Sequence, residues 1–196
     1  MDQQILPVAP EKSYRLLNHG PTVLVSARFG GVDNVMAAAW ACALDFAPPK
    51  LTVVLDKSAK TRDLIEKRGR FAIQVPTVAQ ADLTHRVGHL SLADTPDKLA
   101  RAGVELFGIE GHDLPFVAGC SAWLACRLRP EPGNQAVYDL FIGDIVGAWA
   151  DGRVFRDGHW RFETADPRLR SLHYVAGGHF YAIGEPVIVP DESDDV

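Results

Sequence analysis

Cysteine is scarce in this sequence: of 196 residues only Cys42, Cys120 and Cys126 carry thiols, an odd number with no CxxC pair. That excludes a disulfide framework and marks the three as small core residues of a chain kept in a reducing compartment. An excess of basic charge is also missing. The formal net charge is −5 and the lysines and arginines are scattered, which argues against nucleic acid and against a membrane surface as partners. Long apolar runs are absent too. The longest, such as residues 35–44, fall far short of the roughly 20 residues a membrane helix needs. Residues 1–10 carry neither the basic nor the apolar stretch of a secretory signal, so a cytoplasmic protein is expected.

The motifs that mark common chemistries are missing as well. Neither GxGxxG nor GxxxxGK[ST] occurs, so neither a dinucleotide crossover nor a P-loop is supported. No GxSxG setting singles out a nucleophile, and the carboxylates are too dispersed for a glycosidase pair. His85 and His89 lie four apart and could share a helix face. No third ligand or nearby glutamate completes a zinc site, so no metal is expected.

What remains is an ordinary globular balance, 47% hydrophobic and 23% charged, in a chain long enough to fold without staples. A single domain is expected. The apolar segments are mostly short, β-branched and bounded by turn residues, so residues 22–27, 51–55, 71–75, 121–128 and 138–149 read as strands. Residues 34–44 are apolar on both faces; their alanines favour helix, but their place between Gly30-Gly31 and Pro48-Pro49 favours one buried strand. Ser58 or Lys60 opens a short helix that Gly69 ends, and residues 78–87 and 96–102 have helical spacing. The acidic residues 191–196 should fray. The sum is a mostly β fold, an antiparallel barrel with a few peripheral helices.

One segment carries a chemical signal. In Ser58-Ala-Lys-Thr-Arg62, two hydroxyls and two cations meet at a strand-to-helix junction, where free backbone N–H groups and the helix dipole favour an anion. Ser58 and Thr61 can donate, Lys60 brings a point charge and Arg62 a planar fork. A capped, solvated helix start uses the same residues, so a phosphate site and a plain surface both stay open. His173 and Tyr174, next to Gly177-Gly178, are a ring pair that could face a planar ligand or simply pack.

Taken in order, several stretches resemble the flavin reductase-like, FMN-binding split-barrel family that includes the flavoredoxins. They are Pro21-Thr-Val-Leu-Val-Ser-Ala, Gly31-Val-Asp-Asn-Val-Met-Ala-Ala-Ala-Trp-Ala-Cys, Phe46-Ala-Pro-Pro-Lys-Leu-Thr-Val-Val-Leu, Lys60-Thr-Arg-Asp-Leu-Ile, Gly69-Arg-Phe-Ala-Ile-Gln-Val-Pro, Asp97-Lys-Leu, Leu140-Phe-Ile-Gly-Asp-Ile-Val and Leu172-His-Tyr-Val-Ala-Gly-Gly-His-Phe. The likeness spans residues 21–180. It implies a six-stranded split barrel over residues 1–196, with residues 1–12 and 188–196 as peripheral arms, forming a homodimer with FMN near the subunit interface. It implies that Asn34, Val35, Met36, Ala37, Ala38, Ala39, Trp40, Ala41 and Cys42 line the flavin, largely through backbone groups. Ser58, Lys60, Thr61 and Arg62 would hold the phosphate, and His173 and Tyr174 would sit near the isoalloxazine.

The activity so implied is electron transfer from NAD(P)H, as co-substrate, through FMN to a flavin or other small acceptor. There is one departure. Many reductases of this family carry a histidine just before the Leu-Phe-Ile-Gly strand, facing the nicotinamide; here Tyr138 and Asp139 stand there. That leaves room for a flavoredoxin-type carrier without its own NAD(P)H oxidation.

Overall fold

A computed structural model of the chain describes residues 4–16 and 21–189; His19 and the acidic residues 191–196 lie outside the described residues. The first half runs β1 (Ile5–Val8), a 3-10 turn, β2 (Val23–Phe29), β3 (Val32–Ala38), β4 (Ala41–Phe46), β5 (Pro49–Val54), α1 (Lys60–Arg68) and β6 (Arg70–Val75). Then come α2 (Ala81–His89), α3 (Lys98–Arg101), β7 (Leu106–Ile109), β8 (His112–Val117), β9 (Ala122–Arg129) and α4 (Pro132–Tyr138). The long β10 (Leu140–Asp151) follows, and the hairpins β11 (Phe155–Arg156) with β12 (His159–Trp160) and β13 (Leu172–Ala176) with β14 (His179–Ala182) end the described chain.

The main sheet is antiparallel, in the order β3-β2-β6-β9-β10-β5-β4. β10 serves three neighbours: β9 along one edge, and along the other β5 at Leu140–Asp144 and then β1 at Ala148–Asp151. Alternation with period two sorts each strand into two faces. Val23 and Val25 of β2, Leu51 and Val53 of β5, Phe71 and Ile73 of β6, Leu124 and Phe141 meet in one fully buried cluster. β2 and β5 are four places apart in the sheet order, so they share a core only because the sheet curls on itself. Leu24, Ala72 and Trp123 face outward and are covered by Phe116 and Val117 of β8 and Val87 of α2. A Cβ on Gly143 would come within 2.6 Å of the Phe71 ring, so the barrel closes there only around a bare backbone.

The mostly β split barrel with peripheral helices is the expected fold, with differences of detail. Eight strands are hydrogen-bonded into the main sheet where six were expected. One reason is that residues 34–44 form two strands, β3 and β4, broken at Ala39-Trp40, instead of one; Trp40 donates nothing to a ladder there but its carbonyl accepts from the Val54 N–H at 3.0 Å. The other is β1, which makes part of the supposed N-terminal arm a sheet strand. Cys120 and Cys126 are buried as expected, whereas Cys42 is exposed on β4, so it is not a core residue. The helix expected after Ser58 begins at Lys60 and ends at Gly69, whose φ of 71° is the left-handed value glycine adopts freely. Among the described residues no helix is long and apolar enough to cross a membrane.

Candidate functional site

The β3–β4 break sets Met36 to Trp40 along the floor of a groove, with α1 at one end and β13 beside it. α1 starts at Lys60 behind an extended Ala59 that offers no side-chain cap. The Arg62 N–H bonds the Ala59 carbonyl at 3.0 Å, which leaves the Lys60 and Thr61 N–H groups to an outside acceptor, and the helix dipole makes an anion the favoured one. The corner in front of them is about 510 Å³ and is lined by Ser58, Lys60 and Thr61, by Asn34 and Met36 of β3, by the loop after α2, and by Lys98 of α3, with the carboxylates Asp56 and Asp94 also on its wall.

Lys98 is the decisive feature of that corner. It is 3% exposed, and among the described residues its ammonium has neither a hydrogen-bonded acceptor nor an ion-pair partner. Burial alone pushes its ammonium down from 10.5 to about 8, because desolvation disfavours the charged form. Asn34, also buried, donates from Nδ2 to Thr61 Oγ1 at 2.9 Å, while its Oδ1 is buried with no partner. A buried cation without an anion is costly. This one faces a corner rimmed by hydroxyls and a helix start.

The sequence-derived phosphate residues divide here. Lys60 and Thr61 line the corner. Lys60 is 39% exposed and already paired with Asp63. Ser58 lines it as well, but its hydroxyl and its N–H, the latter at 2.8 Å, are both given to Asp56 Oδ1. Those bonds hold the Asp56 carboxyl below its ordinary range. Arg62 is not brought to the corner at all. Its guanidinium turns to the far side of α1, donating to the Leu55 carbonyl at 3.1 Å, the Gln135 carbonyl at 2.9 Å, Glu66 and Asp139, over the Phe141 ring. One helical step separates Arg62 from Thr61 and about 100° of rotation takes it to another face. Its task is to tie α1 to Asp139 and the end of α4.

Beyond the corner the groove opens to about 580 Å³, lined by Met36, Ala37, Ala38, Ala39 and Trp40, by Val54 and Asp56, by Val137, Tyr138 and Asp139, and by Tyr174 and Val175. The alanines offer nearly bare backbone, and Trp40 and Tyr138, 75% and 67% exposed, stand at its margins. Val35 instead is buried in the outer cluster, and Ala41, Cys42 and His173 line neither the corner nor the groove. Tyr174 lines the groove; His173, its neighbour on β13, projects from the other side of the strand. The alanine ridge also borders a smaller pocket of about 270 Å³, against α2 and the β13–β14 hairpin. Among the described residues no cluster of three or more possible metal ligands occurs; the His85 and His89 rings lie against each other, centroids 4.1 Å apart and tilted by 32°.

Sequence reasoning missed Lys98, which entered only inside the Asp97-Lys-Leu fragment. A lone lysine reads as surface, and nothing local announces that Lys98 lines the same corner as the start of α1.

Comparison with known proteins agrees with this geometry. Residues 15–181 match the family model of the flavin reductase like domain. The chain is 68% identical to the FMN-binding domain of a flavin reductases-like enzyme from Shewanella baltica OS155, with a TM-score of 0.96 over 97% of this chain and 100% of that one. It is 26% identical to the flavoredoxin of Desulfovibrio vulgaris (Miyazaki F), with a TM-score of 0.74 over 89% of this chain and 92% of the other. The uncharacterized protein YddH of Escherichia coli (strain K12) is 40% identical over 94% of this chain and 97% of its own length.

Proposed function

The chain belongs to the flavin reductase-like family, and from that premise we propose that it binds FMN in this groove and works as an FMN-dependent oxidoreductase. The donor is NAD(P)H and the acceptor a flavin or another small molecule. The observation that carries the reading is Lys98, a buried ammonium without a counter-charge in the one corner where a helix start, Lys60 and the Thr61 hydroxyl also converge. A terminal phosphate fits that donor set: it carries nearly two negative charges and three acceptor oxygens. A neutral sugar would leave Lys98 unpaired.

Each part of the groove then has a task. Lys98 and Lys60 neutralise the phosphate, and the N–H groups of Lys60 and Thr61 share its oxygens. Asn34 fixes the Thr61 hydroxyl through its 2.9 Å bond. The bare backbone at Ala37, Ala38 and Ala39 lets a planar ring lie close, with Trp40 and Tyr138 at its edges and Tyr174 beside it. Arg62 takes part indirectly, since it anchors the Tyr138-Asp139 segment that forms one wall. A bound flavin supplies the hydride chemistry itself, so no acid–base pair is required of the protein.

Leu44 and Phe46 on β4, 51% and 67% exposed beside Trp40, support a homodimer joined along this edge, in a cytoplasmic protein of one domain. A second reading, a flavoredoxin-type carrier, is favoured by one observation: among the described residues the only charged ones lining the wide groove are the carboxylates Asp56 and Asp139, which would not hold the phosphates of a nicotinamide dinucleotide.

The first test is the absorption spectrum of the protein as purified, with mass identification of what heat releases; FMN is expected, and a colourless protein that takes up no FMN contradicts the proposal. Anaerobic stopped-flow mixing with NADH and NADPH then separates an enzyme, whose flavin band bleaches rapidly, from a carrier, whose band persists.

A further inference from the structure

The small pocket on the other side of the alanine ridge has a construction of its own. Its walls are rings. His85 and His89 lie 4.1 Å apart at a 32° tilt, Tyr174 and Phe180 approach at 5.1 Å, and Phe180 meets His85 edge-on at 6.5 Å. The space between them stays open because its floor is small: a Cβ added to Gly88 would come within 3.3 Å of Ala37 Cβ. At about 270 Å³ it is sized for a single ring, since an apolar cavity of about 150 Å³ already holds benzene. Thr22, Thr84, His85 and His89 are among its lining residues, and one of these polar groups is buried and unsatisfied. Thr84 is 1% exposed, and its Oγ1 is buried with no hydrogen-bond partner. No lysine, arginine, aspartate or glutamate lines the pocket.

We propose that this pocket binds a small uncharged ring compound bearing one hydroxyl or carbonyl group, held between the ring walls and hydrogen-bonded by Thr84. Aromatic walls attract a ring by edge-to-face and offset contacts. A hydroxyl can turn to donate to a carbonyl or accept from a phenol, and so satisfies an oxygen that otherwise stays unpaired. An anion finds no lysine or arginine there. Because Ala37, Ala38, Ala39 and Tyr174 border both this pocket and the wide groove, such a compound sits beside the proposed flavin and belongs to the class of its small acceptor. That role rests on the flavin reading; the binding itself does not.

The test is a titration of the FMN-loaded protein with phenol, cyclohexanone, toluene and benzoate, followed by the ring signals of His85 and His89 in NMR spectra. Phenol and cyclohexanone should saturate with affinity about five-fold above toluene, the margin of one net hydrogen bond, and benzoate should not saturate. Thr84→Val should erase that margin while leaving toluene and FMN affinities within two-fold, and Thr84→Ser should keep it. Phe180→Ala, which removes a wall and spares the hydroxyl, should weaken all the neutral compounds together. Toluene binding as tightly as phenol, a margin that survives Thr84→Val, or ring signals that do not move would each overturn the proposal. If the protein fails to take up FMN, the flavin reading falls instead, and the same titration on the flavin-free protein decides this one.

Discussion

Two nearly buried cations stand on either side of α1, and they could hardly be more differently provided for. Arg62, 9% exposed, spends its guanidinium on two carboxylates and two carbonyls and rests over an aromatic ring. Lys98, 3% exposed, has an ammonium with no partner among the described residues. The first is a finished structural joint. The second is a charge held in reserve for something that arrives. Burial does not separate a structural cation from a binding one; the inventory of partners does.

The comparison breaks most visibly if Arg62 is removed. Arg62→Met should cost about 3 kcal/mol of stability, because it strands Asp139 and two carbonyls. Calorimetry should show the melting temperature falling by several degrees. Lys98→Met should do the opposite. The flavin-free protein should melt no lower, since a lysine held near 8 instead of 10.5 burdens the folded state at neutral pH. FMN affinity in a fluorescence titration should fall about thirty-fold, the loss of roughly 2 kcal/mol of charge-assisted bonding.

The same lysine predicts a pH dependence. It is cationic below about 8 and neutral above, so FMN affinity should decline as the pH rises through that value and be flat there in Lys98→Met. For stability the sign is reversed: between 8 and 10.5 the unfolded chain binds the extra proton, so the contribution of this residue rises with pH across that window. Lys60→Ala should weaken FMN only about three-fold, because its charge is 39% exposed and shared with Asp63. Ser58→Ala should be the mildest, within two-fold, its hydroxyl being engaged by Asp56.

The strands of the barrel were legible because period-two apolar residues between turn signals have few other uses. α1 was legible from its glycine stop, and the phosphate corner from the hydroxyls and cations at a helix start. What was not legible depended on residues far apart in sequence. Nothing local distinguishes Lys60 from Arg62 as a ligand; their division follows from which face of α1 meets α4. The break at Ala39-Trp40 could not be seen because both halves are equally apolar, and only the pairing of Trp40 with Val54 reveals it. Lys98 is buried at a corner it shares with the start of α1 and the loop after α2, a tertiary arrangement with no signature in its neighbours. The β7–β8 hairpin, which covers the outer face of the barrel, was likewise not expected.

The central claim is that Lys98 pairs with a phosphate, and the most direct test compares FMN with riboflavin, which differs only by that group, on the native protein and on Lys98→Met. A strong native preference for FMN should collapse in the variant while riboflavin binds both proteins equally. An FMN-to-riboflavin ratio that the substitution leaves unchanged would mean the phosphate lies elsewhere.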